Sequence, residues 1–357
     1  MGAAILILVL GLVLPGCSVG YVTRQSVTHL RVLAARQGVD KALAGGEIPP
    51  EWAPKIEIIR SAKEFGQVEL GLSTEDLYET ISVVRPDPTW VVTACPRDSL
   101  APVTWWFPVA GRVAYRGYYD REDAERFADK LRGKELDVLV RPAGAFSTLG
   151  WFSDPIRPSM LKGDEADLAN LVLHEAAHRL LYIKGQTDFN ESFASFVGDE
   201  GTLLYLEDRH GSDCEICRRV RDAHADARVF SGFLASVLDE LEALYAEETS
   251  REEKIRRRES VFAAARQRFE TLPWQGDTYA WFPDRRLDNA VLLSLRRYEG
   301  RRDLFQELLL RCDDKLSRAV AAVATRVNWK ELPRRERRRS DPFQLLEAIL
   351  AESPGCP

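Results

Sequence analysis

His174, Glu175 and His178 stand in the stretch HEAAH, and Glu191 follows after residues 179–190. Residues four apart on a helix lie one turn above each other on one face, so His174 and His178 can offer both imidazoles to one ion. Glu175, beside the first of them, is placed to take a proton from a water that the ion activates. Two imidazoles, one carboxylate and an open position are the donor set of a catalytic zinc centre. The competing reading is a buried amphipathic helix with two hydrogen-bonded histidines; Leu168, Leu171, Val172, Leu180 and Leu181 flank the pair with apolar groups. The chain has five histidines: His29, His174, His178, His210 and His224. Two of so few, at helical spacing and with a glutamate between them, make coincidence a poor account.

The third ligand sets the class. A metzincin would need glycine where Leu181 stands and histidine where Lys184 stands, which excludes that group. Lys184-Gly185-Gln186-Thr187 instead breaks the helix. Asp188 can cap a new helix, and Asn190-Glu191 falls in its first turn, so an antiparallel return can bring Glu191 to the histidines. The run Asn190-Glu191-Ser192-Phe193-Ala194 closely resembles the Asn-Glu-Gly-Phe-Ala stretch of gluzincin aminopeptidases, in which the glutamate is a zinc ligand. The connection from His178 to Glu191 is shorter than in thermolysin-like enzymes, so the turn must be tight.

The resemblance extends beyond the motif. Trp106-Phe107-Pro108-Val109-Ala110-Gly111, Tyr115-Arg116-Gly117-Tyr118, the segment Ala145 to Phe152, HEAAH and NESFASF occur in the order found in a family of bacterial lipoproteins described as predicted aminopeptidases. The chain is similar to that family strongly from about Cys17 to Leu206, and more weakly through Leu287-Asp288-Asn289-Ala290 and Tyr298. The resemblance implies an α+β fold with a zincin-like metallopeptidase core, a small mixed sheet and one Zn2+ per chain held by His174, His178 and Glu191. Glu175 would be the base and a peptide the substrate. It also implies an edge strand beside the active helix, with Ala145, Phe146, Ser147 and Thr148 meeting an extended peptide through backbone groups. A buried structural strand ending at Gly150 is the alternative, and the family usually has tyrosine where Phe146 stands. A donor for the reaction's oxyanion is also needed; Tyr115, Tyr118 and His210 qualify by type, with Tyr115 preferred. Asn289 can line a pocket or sit on a helix surface. The Gly-x-Met-Glu-Asn segment that grips a free amine in known gluzincin aminopeptidases is absent, since the only methionines are Met1 and Met160. Metal-dependent peptidase is therefore the firmer expectation, and aminopeptidase the narrower one.

The elements that must position these groups are readable from periodicity. A helix is expected over about 22–45 and another through Ile56–Phe65; strand chemistry marks 80–84, 89–95, 112–119 and 135–141, with 145–152 a further candidate. Helices are expected at about 166–184 and 189–208, and from Cys217 onward the pattern is almost wholly helical. This divides the chain into a signal segment (1–17), a peptidase core (18–210) and a helical C-terminal region packed on it (211–357). The signal segment has an apolar run, Ala3–Leu14, too short to span a bilayer. It ends in Leu14-Pro15-Gly16-Cys17, which resembles a bacterial lipobox, although no Lys or Arg precedes the run. By that resemblance Cys17 is acylated and Ser18 permits delivery to the periplasmic side of the outer membrane; an uncleaved N-terminal anchor is the alternative.

A net charge of −6 argues against nucleic acid, despite the basic run Arg334–Arg339, which reads as a solvated stretch. With Cys17 acylated, Cys95, Cys214, Cys217, Cys312 and Cys356 remain, an odd number that leaves at least one thiol unpaired within the chain. Cys214 and Cys217 form a lone CxxC, either a local disulfide or two structural thiols. Two rival functions stay open: an envelope lipoprotein whose metal only staples the fold, and a helical interaction scaffold built on 217–357.

Overall fold

The computed structural model describes residues 17–84, 88–107, 111–143, 155–327, 329, 341–352 and 355–356. The fold is α+β, with helices dominant. Helix α1 (Cys17–Ala34) ends earlier than periodicity predicts. Gln37–Gly38 leaves the helix to form strand β1, paired antiparallel with β2 (Thr80–Ile81), and a short α2 (Val39–Ala44) follows. Gly38, a poor helix former, adopts an extended conformation there. Helix α3 (Ala53–Leu70) starts with proline in its first turn and ends at Gly71 in the left-handed region, φ 67°. Its buried Ile56, Ile59, Ala62, Gly66 and Leu70 lie on one helical face.

The main sheet has β3 (Thr89–Pro96) at its centre, flanked by β6 (Arg116–Tyr118) and β7 (Leu136–Ala143). Both neighbours run antiparallel to β3. The expected mixed sheet is therefore antiparallel among the described residues; parallel pairing occurs only at the isolated bridge Ile81–Ile156. Strand β3 is buried on both faces. Val92 and Ala94 face helix α4 (Arg121–Arg132), whereas Cys95 packs with the helices α7 (Glu215–Ala246), α8 (Arg251–Glu270) and α9 (Asn289–Glu299). The predicted strand over 112–119 is split in two. Its first part, β5 (Gly111–Val113), pairs with β4 (Trp105–Phe107), and its second part joins β3 as β6. Ala114 and Tyr115 turn from one sheet to the other, which leaves Tyr115 outside both ladders.

The largest core surrounds α5 (Glu165–Leu180) and α6 (Thr187–His210). It also holds α3 and the C-terminal helices α10 (Arg302–Arg311), α11 (Leu316–Arg326) and α12 (Pro342–Glu352), so these last helices share one apolar interior with the candidate site. Disulfides Cys214–Cys217 and Cys312–Cys356 account for four cysteines, and Cys95 is free and buried. Burial pushes the Cys95 thiol up to about 12, so it is no thiolate nucleophile at neutral pH. No helix among the described residues is long and apolar enough to cross a membrane.

Candidate metal centre

Helix α5 starts at Asp164, which accepts a hydrogen bond from the Asp167 amide while the Asp167 carboxylate accepts one from the Asp164 amide. This reciprocal cap fixes where the helix begins and so which residues face inward. Leu168, Ala169, Val172, Leu173, Ala176 and Ala177 are buried, and His174, Glu175 and His178 follow on the adjoining surface. The helix stops at Leu180, and Gly185, at φ 81°, turns the chain back. Asn190 closes this turn: its side-chain oxygen accepts from the Ile183 amide at 2.8 Å, and its amide nitrogen donates to the Ile183 carbonyl, also at 2.8 Å. Both bonds are buried. They hold the residue before Glu191 against the end of the turn, which is how so short a connection succeeds. Asp188 is not the cap that the sequence suggested. Helix α6 already begins at Thr187 after Gln186, and the Asp188 carboxylate faces Arg296 and Arg297 instead.

Close helix approach completes the return. A β-carbon on Gly198 would lie 3.2 Å from His174 Cβ, and one on Gly201 would lie 2.9 Å from Leu173 Cδ1. Asn170 on α5 also donates to Asp199 on α6 at 2.8 Å. Glu191 Oε2 consequently sits 3.5 Å from His174 Nε2 and 3.7 Å from His178 Nε2, with the two rings edge to face at 4.9 Å. Tetrahedral zinc with bonds of about 2.0–2.1 Å places its donors about 3.3–3.4 Å apart. The two distances to Glu191 are close to that spacing, and all three donor atoms lie within 4.8 Å of one another. Burial raises the Glu191 carboxyl, but the charges and hydrogen bonds of His178 and His174 outweigh it and hold the group far below the usual carboxylate range. Burial disfavours a charged His178, yet Glu191 and then Glu175 raise it overall. His178 Nδ1 is buried without a hydrogen-bond partner, so that ring is oriented by packing and by Glu191 at its Nε2.

Three phenols share the field of Glu191. Tyr115 is raised well above the ordinary tyrosine range by burial and then by Glu191. Burial and then the same carboxylate push Tyr182 up to about 12 and raise Tyr298, whose hydroxyl accepts from Arg141 at 2.9 Å. All three stay neutral near pH 7 and can donate.

A family model described as "Putative aminopeptidase" matches residues 20–340. The chain belongs to that family. Comparison with curated proteins and with solved structures found no match. The match runs from α1 to beyond α11, so helices α10 and α11 fall within the family's own chain, and α12 follows the matched residues. Membership supports peptidase activity in general.

Among the sequence-predicted residues of this aminopeptidase-family chain, His174, His178 and Glu191 come together, and they are the one cluster among the described residues able to hold a metal. Glu175 is buried beside them and Tyr115 lies in the field of Glu191. Tyr118 and His210 do not reach the site. Tyr118 lies on β6 opposite Trp90 with its ring against Tyr21, and His210 meets Glu165 at the other end of α6. Ala145, Phe146, Ser147 and Thr148 lie outside the described residues. Asn289 is neither a pocket nor a surface residue: it is fully buried, donating to the Pro96 and Ser99 carbonyls and accepting from Tyr245. Tyr182, Arg297 and the pairing of Tyr298 with Arg141 were missed; only the weak resemblance at Tyr298 pointed that way. Gly198→Val is expected to push His174 aside and to lower any affinity of this cluster for added zinc by roughly tenfold or more, read by competition with a chromophoric chelator.

Proposed function

We propose that this chain is a zinc-dependent peptidase, in which His174, His178 and Glu191 hold one Zn2+ per chain and Glu175 is the general base. The observation that carries this reading is the convergence of both histidine Nε2 atoms on one oxygen of Glu191, 3.5 and 3.7 Å away. Zinc bound there would polarise the substrate carbonyl and lower the pKa of water. The chain's own residues supply the rest. Glu175 takes the proton from the attacking water and passes it to the leaving amine. Tyr115, kept neutral, donates its hydroxyl hydrogen to the oxygen that gains charge. Helices α5 and α6 hold base and ligands rigidly, because both sit in the largest core. The core would be zincin-like and of the gluzincin type, and an aminopeptidase is the narrower form of the proposal.

The test is hydrolysis of short peptides by the purified protein. Activity should disappear on chelation and return with about one equivalent of zinc; activity indifferent to chelation would remove the proposal. The lipobox resemblance at Cys17 supports a second part: the mature chain begins with acylated Cys17 and is anchored in the bacterial envelope on the periplasmic side of the outer membrane. Cys17→Ser should then move the protein from the membrane fraction to the soluble one.

A further inference from the structure

Cys214 and Cys217 open α7, a helix of 32 residues, with Cys214 at its cap and Cys217 in its first turn. Their disulfide is a poor staple. It closes a sequence separation of 3, which removes little freedom from the unfolded chain, whereas Cys312–Cys356 closes a separation of 44. The joint between α6 and α7 is also held by other bonds. Arg221 donates to the Ser212 carbonyl and to Glu207, and the Cys214 amide donates to the Gly211 carbonyl at 3.3 Å.

The two sulfurs differ in access. Cys217 is fully buried, whereas Cys214 is half-buried between the exposed residues 211–213 and the exposed Glu215. A nucleophile from solvent therefore meets Cys214 first. Each sulfur also faces the partner that its reduced form needs. The Cys217 amide donates to Cys214 Sγ at 3.0 Å, and the positive end of the helix favours negative charge there. Cys217 Sγ lies 3.5 Å from the Gly211 carbonyl, an acceptor for a thiol hydrogen. One backbone arrangement thus suits both the disulfide and the dithiol.

We infer that Cys214–Cys217 is a thiol–disulfide exchange site that oxidises a dithiol, a second activity at the end of α6 opposite to Glu191. A thiolate of the dithiol attacks Cys214 Sγ and forms a mixed disulfide. The bond to Cys217 breaks, and Cys217 leaves with the electron pair and takes up a proton. The reactant's second thiol loses its proton to solvent and attacks the reactant's own sulfur, so Cys214 leaves as a thiolate. The reactant ends as a disulfide, and the chain has gained its two electrons.

The test uses the folded protein beginning after Cys17, with each cysteine read by alkylation and mass spectrometry. Reduced dithiothreitol should open Cys214–Cys217 about a hundredfold faster than Cys312–Cys356, with the circular dichroism unchanged. A peptide carrying two reduced cysteines should be oxidised by about one equivalent per chain. Reaction with the peptide as well as with dithiothreitol identifies the reactant as a polypeptide dithiol, and reaction with dithiothreitol alone identifies a small one. Cys217→Ser should trap a mixed disulfide at Cys214 when the oxidised peptide is added, whereas Cys214→Ser, whose remaining thiol is buried, should trap none. Equal opening rates for the two disulfides, opening only on unfolding, or trapping at Cys217 would each overturn the inference. Should either variant fail to fold, the two rates in the unaltered chain still decide.

Discussion

Glu175→Gln is expected to reduce peptide hydrolysis by about a hundred- to ten-thousandfold while zinc stays bound. Glutamine keeps the shape and the hydrogen-bonding length of the side chain, so packing in α5 is preserved. It cannot accept the proton that the attacking water must lose. Glu175 is separate from the three groups that converge, although its charge reaches His178. Removing that charge should therefore lower kcat and leave KM and metal stoichiometry close to their original values. Steady-state kinetics beside metal analysis of the same sample checks both halves. Undiminished hydrolysis would take the base role from Glu175, whereas loss of zinc would show that the variant had damaged the site. A chain in which zinc only staples two helices would show no hydrolysis before or after the change.

The second large effect falls on stability. Asp137→Asn should destabilise the protein by about 3–5 kcal/mol, read from urea unfolding. Asp137 on β7 and Arg258 on α8 are both buried, at 7% and 5% exposure. Arg258 donates to Asp137 at 2.6 and 3.2 Å and to the Arg97 carbonyl at 2.7 Å. The same carboxylate accepts the Asn289 amide at 3.1 Å, at the start of α9. Neutralising Asp137 leaves a buried guanidinium with only the exposed Glu259 carboxylate, 3.3 Å from its Nε, as counter-charge, which is the costly outcome. Arg258→Met in the same chain should recover part of the loss, because then neither charge is buried. The pair also bears on function, since α9 leaves the sheet at Asn289 and carries Arg297 and Tyr298 to the candidate site. A loss below about 1 kcal/mol would mean that water reaches the pair and screens it.

The part of the site that was legible in the sequence is the part that is local. The spacing of His174 and His178 needs only a helix, and Gly185 followed by Asn190-Glu191 needs only a turn. Sequence order placed these correctly because α5 and α6 are neighbours joined by one short connection. Tyr115 was legible by type alone; its position depends on the strand over 112–119 breaking in two, which alternation cannot show. Arg297 and Tyr298 reach the site from a distant helix, and nothing in their local pattern sets them apart from other helical residues. His210 illustrates the same limit. It is on the helix that carries Glu191, but the rise of an α-helix puts it roughly 28 Å further along. The break in the predicted helix over 22–45 also depended on a distant segment, because β1 exists only through pairing with Thr80–Ile81. Asn289 reads as a helix-surface amide until Pro96, Ser99 and Tyr245 are brought around it.

The most direct measurement is the zinc content of the purified protein beginning after Cys17, beside a His174→Ala variant that unfolds at a comparable temperature. The account predicts about one zinc per chain in the first and little or none in the second. No zinc in the unaltered protein after reconstitution, or the same amount in both, would contradict it and return His174 and His178 to the role of core residues.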